Sequence, residues 1–333
     1  MATKILGLEI TALSASYAST AQTVLGSVTS ASYAVSASYF YETFIDTQLF
    51  TGSGVWTKPA NAKYVEIYLV GGAGGGASGR RGLTSTARYG GGGGSSGFFN
   101  IAKINASNLA ATENIWIGAG GTSGSAITVN DTNGNAGGTG AVSIFGGSGT
   151  IANAKLCTAN GFGGLGGTAA SQGATTVGNS VMFGFLNITS TFGTGTNPPL
   201  NFSGGTQNYL SRPLIAGGIG GGISAANATN TGGGFILTGM STGQTIASVT
   251  GGGSVGSTGN NGSLITNSPS GLFFATAGGG GASGDVAGTT AGGRGGNGGP
   301  GAGGGGGGAS ANGANSGAGG TGGNGFCLII TYF

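Results

Sequence analysis

The sequence predicts a mainly β protein: an antiparallel β-sandwich carrying inserted glycine-rich helices of the polyglycine or polyproline II type, preceded by a slender coiled-coil-like stalk. Three observations predict it. Glycine makes up 83 of 333 residues, several times the ordinary ~7%, much of it in tracts with a three-residue period. Strand-like segments at 48–70 and 326–333 bracket those tracts. Residues 6–39 carry a broken seven-residue apolar ladder. The chain is therefore divided into 1–45, a repeat-bearing stalk or attachment segment, and 46–333, the glycine-rich sandwich domain.

In the stalk, Leu6, Ile10, Leu13 and Tyr17 step by four, three and four, and the ladder resumes through Ala21, Leu25, Val28, Ser32, Val35 and Tyr39. The extra step of four after Tyr17 is a stutter, which locally unwinds a left-handed supercoil without ending it. A Ser-Ala-Ser-Tyr unit recurs at 14–17, 30–33 and 36–39. Small residues with single Leu, Val and Tyr knobs suit a thin parallel coiled coil, and we expect a homotrimer. The competing reading is an irregular or β-rich stalk, since Ser, Thr and Tyr are indifferent helix formers.

From residue 48 the period becomes two. Two strands are expected around Lys58-Pro59-Ala60-Asn61, a turn-forming cluster. In the second, Val65, Ile67 and Leu69 share one face and Tyr64, Glu66 and Tyr68 the other. Further strands are expected at 98–102, 114–117, 141–145 and 326–333; the last is apolar on both faces, as a central strand would be. Strands from both ends of the domain are expected to share one sandwich, with the glycine tracts as excursions between them.

The tract 291–325 is built largely of Gly-Gly-X triplets, such as Gly292-Gly293-Arg294 and Gly295-Gly296-Asn297. A period of three fits neither α-helix nor β-strand; it fits an extended left-handed helix of about 3 residues per turn. Glycine edges let such helices approach closely, and their backbone groups can then bond between helices. The two glycines of each triplet are expected to face neighbours and X to face outward. Collagen would need strict glycine every third residue with abundant proline, whereas this chain has 6 prolines and breaks the period. Ordering so much glycine is costly. An inter-helix lattice, a β-core clamping the helix ends and oligomerisation together offset that cost.

Composition excludes several function classes. Charged residues are 5% of the chain and the net charge is +3, too dispersed for a nucleic-acid surface. No apolar run approaches the ~18 residues of a membrane span, and Glu9 interrupts the early apolar residues where a signal peptide would need them. Cys157 and Cys327 have no metal-binding spacing and read as free thiols. There is no histidine. The acidic residues, Glu9, Glu42, Asp46, Glu66, Glu113, Asp131 and Asp285, show no paired context of the kind glycosidases use. The many Gly-x-Gly-x-x-Gly strings open no βαβ unit. No catalytic, cofactor or metal site is expected.

The segments FTGSG and WTKP, then YVEIYLVGGAGGG and GRRG, together with the closing AGGRGGNGGPGAGGGGGG and GGTGGNGFCLIITYF, resemble the glycine-rich domain of bacteriophage tail-fibre and tail-tip proteins. The Ser-Ala-Ser-Tyr stalk is similar to repeats in phage fibres. The resemblance covers 48–150 and 275–333 and fades across 155–270; a more distant similarity is to the extracellular glycine-rich domain of anaplastic lymphoma kinase receptors. It implies a virion structural protein, assembled in the host cytoplasm, that joins other tail proteins through its N-terminal segment and adsorbs to a host-surface glycan or protein. The alternatives are a purely structural decoration or collar fibre, or a glycan-degrading tailspike.

Specificity needs side chains at fixed positions, so recognition is expected where bulky residues interrupt the glycine. The candidates are Phe192, Phe202, Tyr209 and Arg212 in the stretch 181–212, with 263–274 as a second interruption. A further group is Arg80, Arg81, Arg88 and Tyr89, because arginine and aromatics are the usual anchors of recognition surfaces. The competing roles are a hydrophobic plug for the phenylalanines and inter-chain or carbonyl contacts for the arginines.

Overall fold

The computed structural model describes residues 45–171, 173, 216–238, 245–265 and 274–333; the expected stalk lies outside them. The strands are, in chain order, β1 (Ile45–Phe50), β2 (Gly54–Thr57), β3 (Tyr64–Val70), β4 (Arg81–Gly82), β5 (Phe99–Asn105), β6 (Thr112–Trp116) and β7 (Ile144–Phe145). There follow β8 (Leu156–Cys157), β9 (Phe235–Thr238), β10 (Thr245–Val249), β11 (Leu264–Ile265), β12 (Phe274–Ala275), β13 (Ser310–Ala311) and β14 (Phe326–Tyr332). Helix among these residues is confined to two 3-10 turns, Ala106–Asn108 and Ile151–Asn153. The domain is mainly β with antiparallel sheets, the one parallel pair among the described residues being the short β13–β4 contact.

Two four-stranded antiparallel sheets, β1-β14-β3-β5 and β2-β6-β7-β8, enclose the apolar core. The two ends of the domain share one sandwich as the sequence predicts, and they meet in a single sheet of it, with β14 between β1 and β3. Alternation sorts the residues. Val65, Ile67 and Leu69 of β3 and Cys327 and Ile329 of β14 face inward onto Trp56, Ile115 and Phe145 of the second sheet. Each of these side chains is almost wholly removed from water, contributing roughly 1.5–3 kcal/mol for a large aliphatic or aromatic group. The β2–β3 connection turns at Asn61 with φ 64°, a left-handed conformation asparagine tolerates better than most residues. Glu113, buried in the second sheet, is neutralised by Lys155 and accepts from the Ala110 N–H at 2.7 Å.

The glycine tracts leave this sandwich as straight extended segments and return to it. Their hydrogen bonds repeat every third residue, each repeat aimed at a different neighbour. In segment 71–80 the amides of Gly71, Gly74, Ala77 and Arg80 donate to Phe98, Ser95, Gly92 and Tyr89 of segment 89–98. Those of Gly72, Gly75 and Ser78 donate to segment 133–142, and those of Ala73, Gly76 and Gly79 to segment 316–325. Its carbonyls accept from 117–127, 158–168 and 302–309 in the same rotation. A threefold screw that points successive peptides in three directions accounts for this pattern. Segment 71–80 is thus surrounded by six others, as are 302–309 and 276–284.

The lattice explains which residues sit where. A Cβ at Gly76 would lie 1.9 Å from the carbonyl oxygen of Gly305, and one at Gly308 1.8 Å from that of Ala282. A segment surrounded on all sides has room only for Gly, Ala and Ser, with a single threonine at the end of one: 71–79 reads GGAGGGASG, 302–309 AGGGGGGA and 276–284 TAGGGGASG. Peripheral segments keep one open direction and spend it on larger residues. Arg294 and Asn297 in 292–299 are exposed or partly so while still bonding to segment 316–325, and Phe162 and Leu165 in 158–168 are 44% and 49% exposed. The outward placement of X in Gly-Gly-X therefore holds for the rim of the bundle.

Candidate functional site

Segment 71–80 runs away from the end of β3, so its far end lies about 30 Å from the sandwich at ~3.1 Å per residue. There the turns 81–88, 128–132, 224–228, 285–291 and 312–315 come together. Arg81 and Thr132 exchange both backbone bonds, at 3.1 and 3.0 Å. The Asn312 amide donates to the Gly82 carbonyl at 2.8 Å, and Asn312 and Asp131 bond through backbone and side chain at 3.2 Å. Asn227, at φ 58°, aims its Oδ1 at the Ser85 N–H (3.1 Å) and at Arg88 Nη2 (2.7 Å). These side-chain acceptors fasten loops that have no apolar core of their own.

Arg80, Arg81, Arg88 and Tyr89 are all brought to this end, and they differ in what they offer a ligand. Arg80 is partly exposed and donates through Nη1 to Asn133. Arg81 is buried, with Nη1 on the carbonyl of Thr128 (2.6 Å) and Oδ1 of Asn315 (3.1 Å). Arg88 has no exposed surface. Its backbone exchanges bonds with Ile223, at 2.9 and 2.7 Å, and its Nε and Nη1 find no acceptor among the described residues. Burial pulls the Arg88 pKa below its ordinary value, because a guanidinium loses hydration that one asparagine oxygen replaces only in part. Tyr89 is buried, with its amide on the Thr168 carbonyl. The carbonyl-contact role expected for the arginines is what Arg81 performs. Phe192, Phe202, Tyr209 and Arg212 lie outside the described residues, as does most of 263–274.

Sequence reasoning missed the exposed apolar residues beside these arginines. Leu83 is 54% exposed and Val129 65% exposed, in turns already tied together by Asp131. The signal was available as breaks in the glycine period, LTSTA after Gly82 and TVNDTN after Ile127, where Asn, Asp, Ser and Thr supply turn chemistry. The far end thus combines exposed Leu83 and Val129, partly exposed Arg80 and a buried Arg88 whose Nε and Nη1 have no acceptor among the described residues. It can make apolar and cationic contacts. The described carboxylates are scattered: Asp46, Glu66 and Glu113 belong to the sandwich, Asp131 is bonded to Leu83 and Asn312 of the neighbouring turns, and Asp285 is bound within its own turn.

Among the described residues no group of three or more His, Cys, Asp or Glu side chains could hold a metal ion. Nor is any helix among them long and apolar enough to cross a membrane. Compared with protein families and with curated proteins, the chain matches none.

Proposed function

We propose that this chain is a structural component of a phage tail fibre or tail tip, a homotrimer that adsorbs to a host-surface glycan or protein without catalysis. The observation that carries this reading is the placement of the turns. A lattice anchored on the sandwich collects turns with exposed apolar and cationic side chains about 30 Å from the strands into which the stalk segment leads. Such a scaffold tolerates change in the turns, since most lattice bonds run between backbones, and binding residues commonly sit on loops held by rigid elements. The stretch 181–212 supplies the largest concentration of bulky side chains and belongs to the same recognition function. The resemblance in the strand segments and the Ser-Ala-Ser-Tyr repeat supports assignment to the virion tail, with the N-terminal segment joining other tail proteins.

The test is adsorption of labelled full-length protein to a panel of bacterial cells and to an array of surface glycans. Replacing 191–211 by a short Gly/Ser linker should abolish binding to the responsive strain while leaving the melting temperature within a few degrees. Unfolding on that replacement would assign the phenylalanines to a core. Unchanged adsorption would move recognition to Arg80 and its neighbours. Failure of the intact protein to bind any cell or glycan would favour a purely structural fibre.

A further inference from the structure

The outer face of the β1-β14-β3-β5 sheet is largely apolar and aromatic around a middle row of Thr47, Ile330, Glu66 and Lys103, and has no covering layer among the described residues. Register places Ile45, Tyr332 and Tyr64 in one row across it, and Leu49, Leu328, Tyr68 and Ile101 in another. Ile45 is 56% and Leu49 38% exposed, and Tyr64, Tyr68, Ile101 and Ile330 are partly exposed. An outward sheet face is ordinarily polar. Here the charges are engaged within the face. Both carboxylate oxygens of Glu66 accept from tyrosine hydroxyls, those of Tyr68 and Tyr332, each at 3.0 Å. Lys103 lies with its Nζ 4.0 Å from the centre of the Tyr64 ring, which is itself stacked on Tyr332 at 4.6 Å. Burying Glu66 and Lys103 in an interface carries a desolvation cost, which the two hydroxyls and the Tyr64 ring offset in part.

We propose that this face is a self-association surface, through which copies of the chain meet below the stalk. The occupant follows from where the preceding 44 residues end. They join the sheet at Ile45, at a corner of this face, so strands bundled through residues 6–39 bring the Ile45 corners of the copies together. Four strands ~4.8 Å apart, each presenting about six residues of ~3.3 Å, make a face on the order of 400 Å². A stable interface needs about 800 Å² per partner, so the face extends an association that the stalk begins. The proposal rests on the trimeric reading of the stalk.

Full-length protein carrying Cys157→Ser and Thr47→Cys, the latter on the exposed outer side of β1, tests it with a short bis-maleimide. Thr57→Cys, exposed on the opposite sheet, is the control, and light scattering reports the oligomer. The expected result is an oligomer in both, with most Thr47→Cys chains cross-linked independently of dilution and the control at background. An oligomer in which Thr47→Cys links no better than Thr57→Cys overturns the proposal and leaves the stalk reading standing. A monomer in both overturns the two together. A Leu13→Asp/Leu25→Asp full-length variant separates them further. It should be monomeric and lose the Thr47 cross-link; an oligomer that keeps the cross-link would support the face while contradicting a stalk-led trimer.

Discussion

Neutralising Arg88 and deleting its side chain are different experiments, because its stem fills space while its charge lacks an ionic partner among the described residues. Replacing a buried ion by an apolar group of similar volume is often neutral or stabilising. Arg88→Met should therefore hold or raise the melting temperature, since Asn227 Oδ1 keeps the Ser85 N–H. Arg81→Met removes donors from Thr128 and Asn315 and should cost about 2 kcal/mol, a few degrees in Tm. Equal losses in the two variants, read by thermal unfolding, would show that Arg88 is paired in solution. A second residue-level prediction concerns alkali. Burial pushes Cys327 up to about 12, and burial followed by the hydrogen bond to Glu66 pushes Tyr68 to about 12 as well. The unfolded groups release protons near 9.0 and 10.0 while the folded ones hold theirs. Their contribution to stability is thus complete below about pH 9 and lost as pH rises toward 12. Thermal melts should be flat from neutrality to about pH 9 and fall beyond it, less so for Tyr68→Phe/Cys327→Ala; an unchanged Tm up to pH 12 would contradict the burial. Thiol labelling of native protein should modify the partly exposed Cys157 and spare Cys327.

At the scale of elements, the strands were readable and the depth of each glycine segment was not read, although its signal was present. Strand 64–70 follows from alternation because a sheet with one buried face imposes a period of two, and 326–332 from an apolar run on both faces, as a central strand carries. The segment 141–145 shrinks to Ile144–Phe145, because residues 133–142 are committed to the lattice, where Gly72, Gly75 and Ser78 donate to them. Gly-Gly-X phase distinguishes a rim segment from one enclosed on six sides, where X vanishes, as in 302–309. The turn-end contacts were illegible for a different reason: Asn227 reaches Arg88 across 139 positions and Asn315 reaches Arg81 across 234, and no local pattern encodes such pairs. The lattice makes a graded prediction. A Cβ at Gly295 would lie 2.0 Å from the Gly305 oxygen and one at Gly296 1.9 Å from that of Asn260. Gly295→Val and Gly296→Val should each cost ~1–3 kcal/mol or more, whereas Leu165→Ser at the exposed rim should stay within about 0.5 kcal/mol. Asn297→Val falls between, since Asn297 Oδ1 accepts from the Thr321 N–H at 3.0 Å. Equal melting temperatures for all four variants would mean that the triplet phase carries no packing information.

For the whole molecule, the account is that a conventional core holds the ends of helices that have almost no side chains, and that their backbones then hold each other. Unfolded glycine is the most expensive residue to order, so the arrangement persists only if nearly every lattice amide is bonded in the folded state. Hydrogen exchange measured by mass spectrometry on the full-length protein tests this directly, because the amides of 72–79 and 303–308 have no strand or α-helix to protect them. The account predicts that these segments exchange as slowly as β3 and β14, and that they open with them in one cooperative step. Exchange of 72–79 and 303–308 at the rate of an unstructured glycine peptide, beside a protected sandwich, would contradict it.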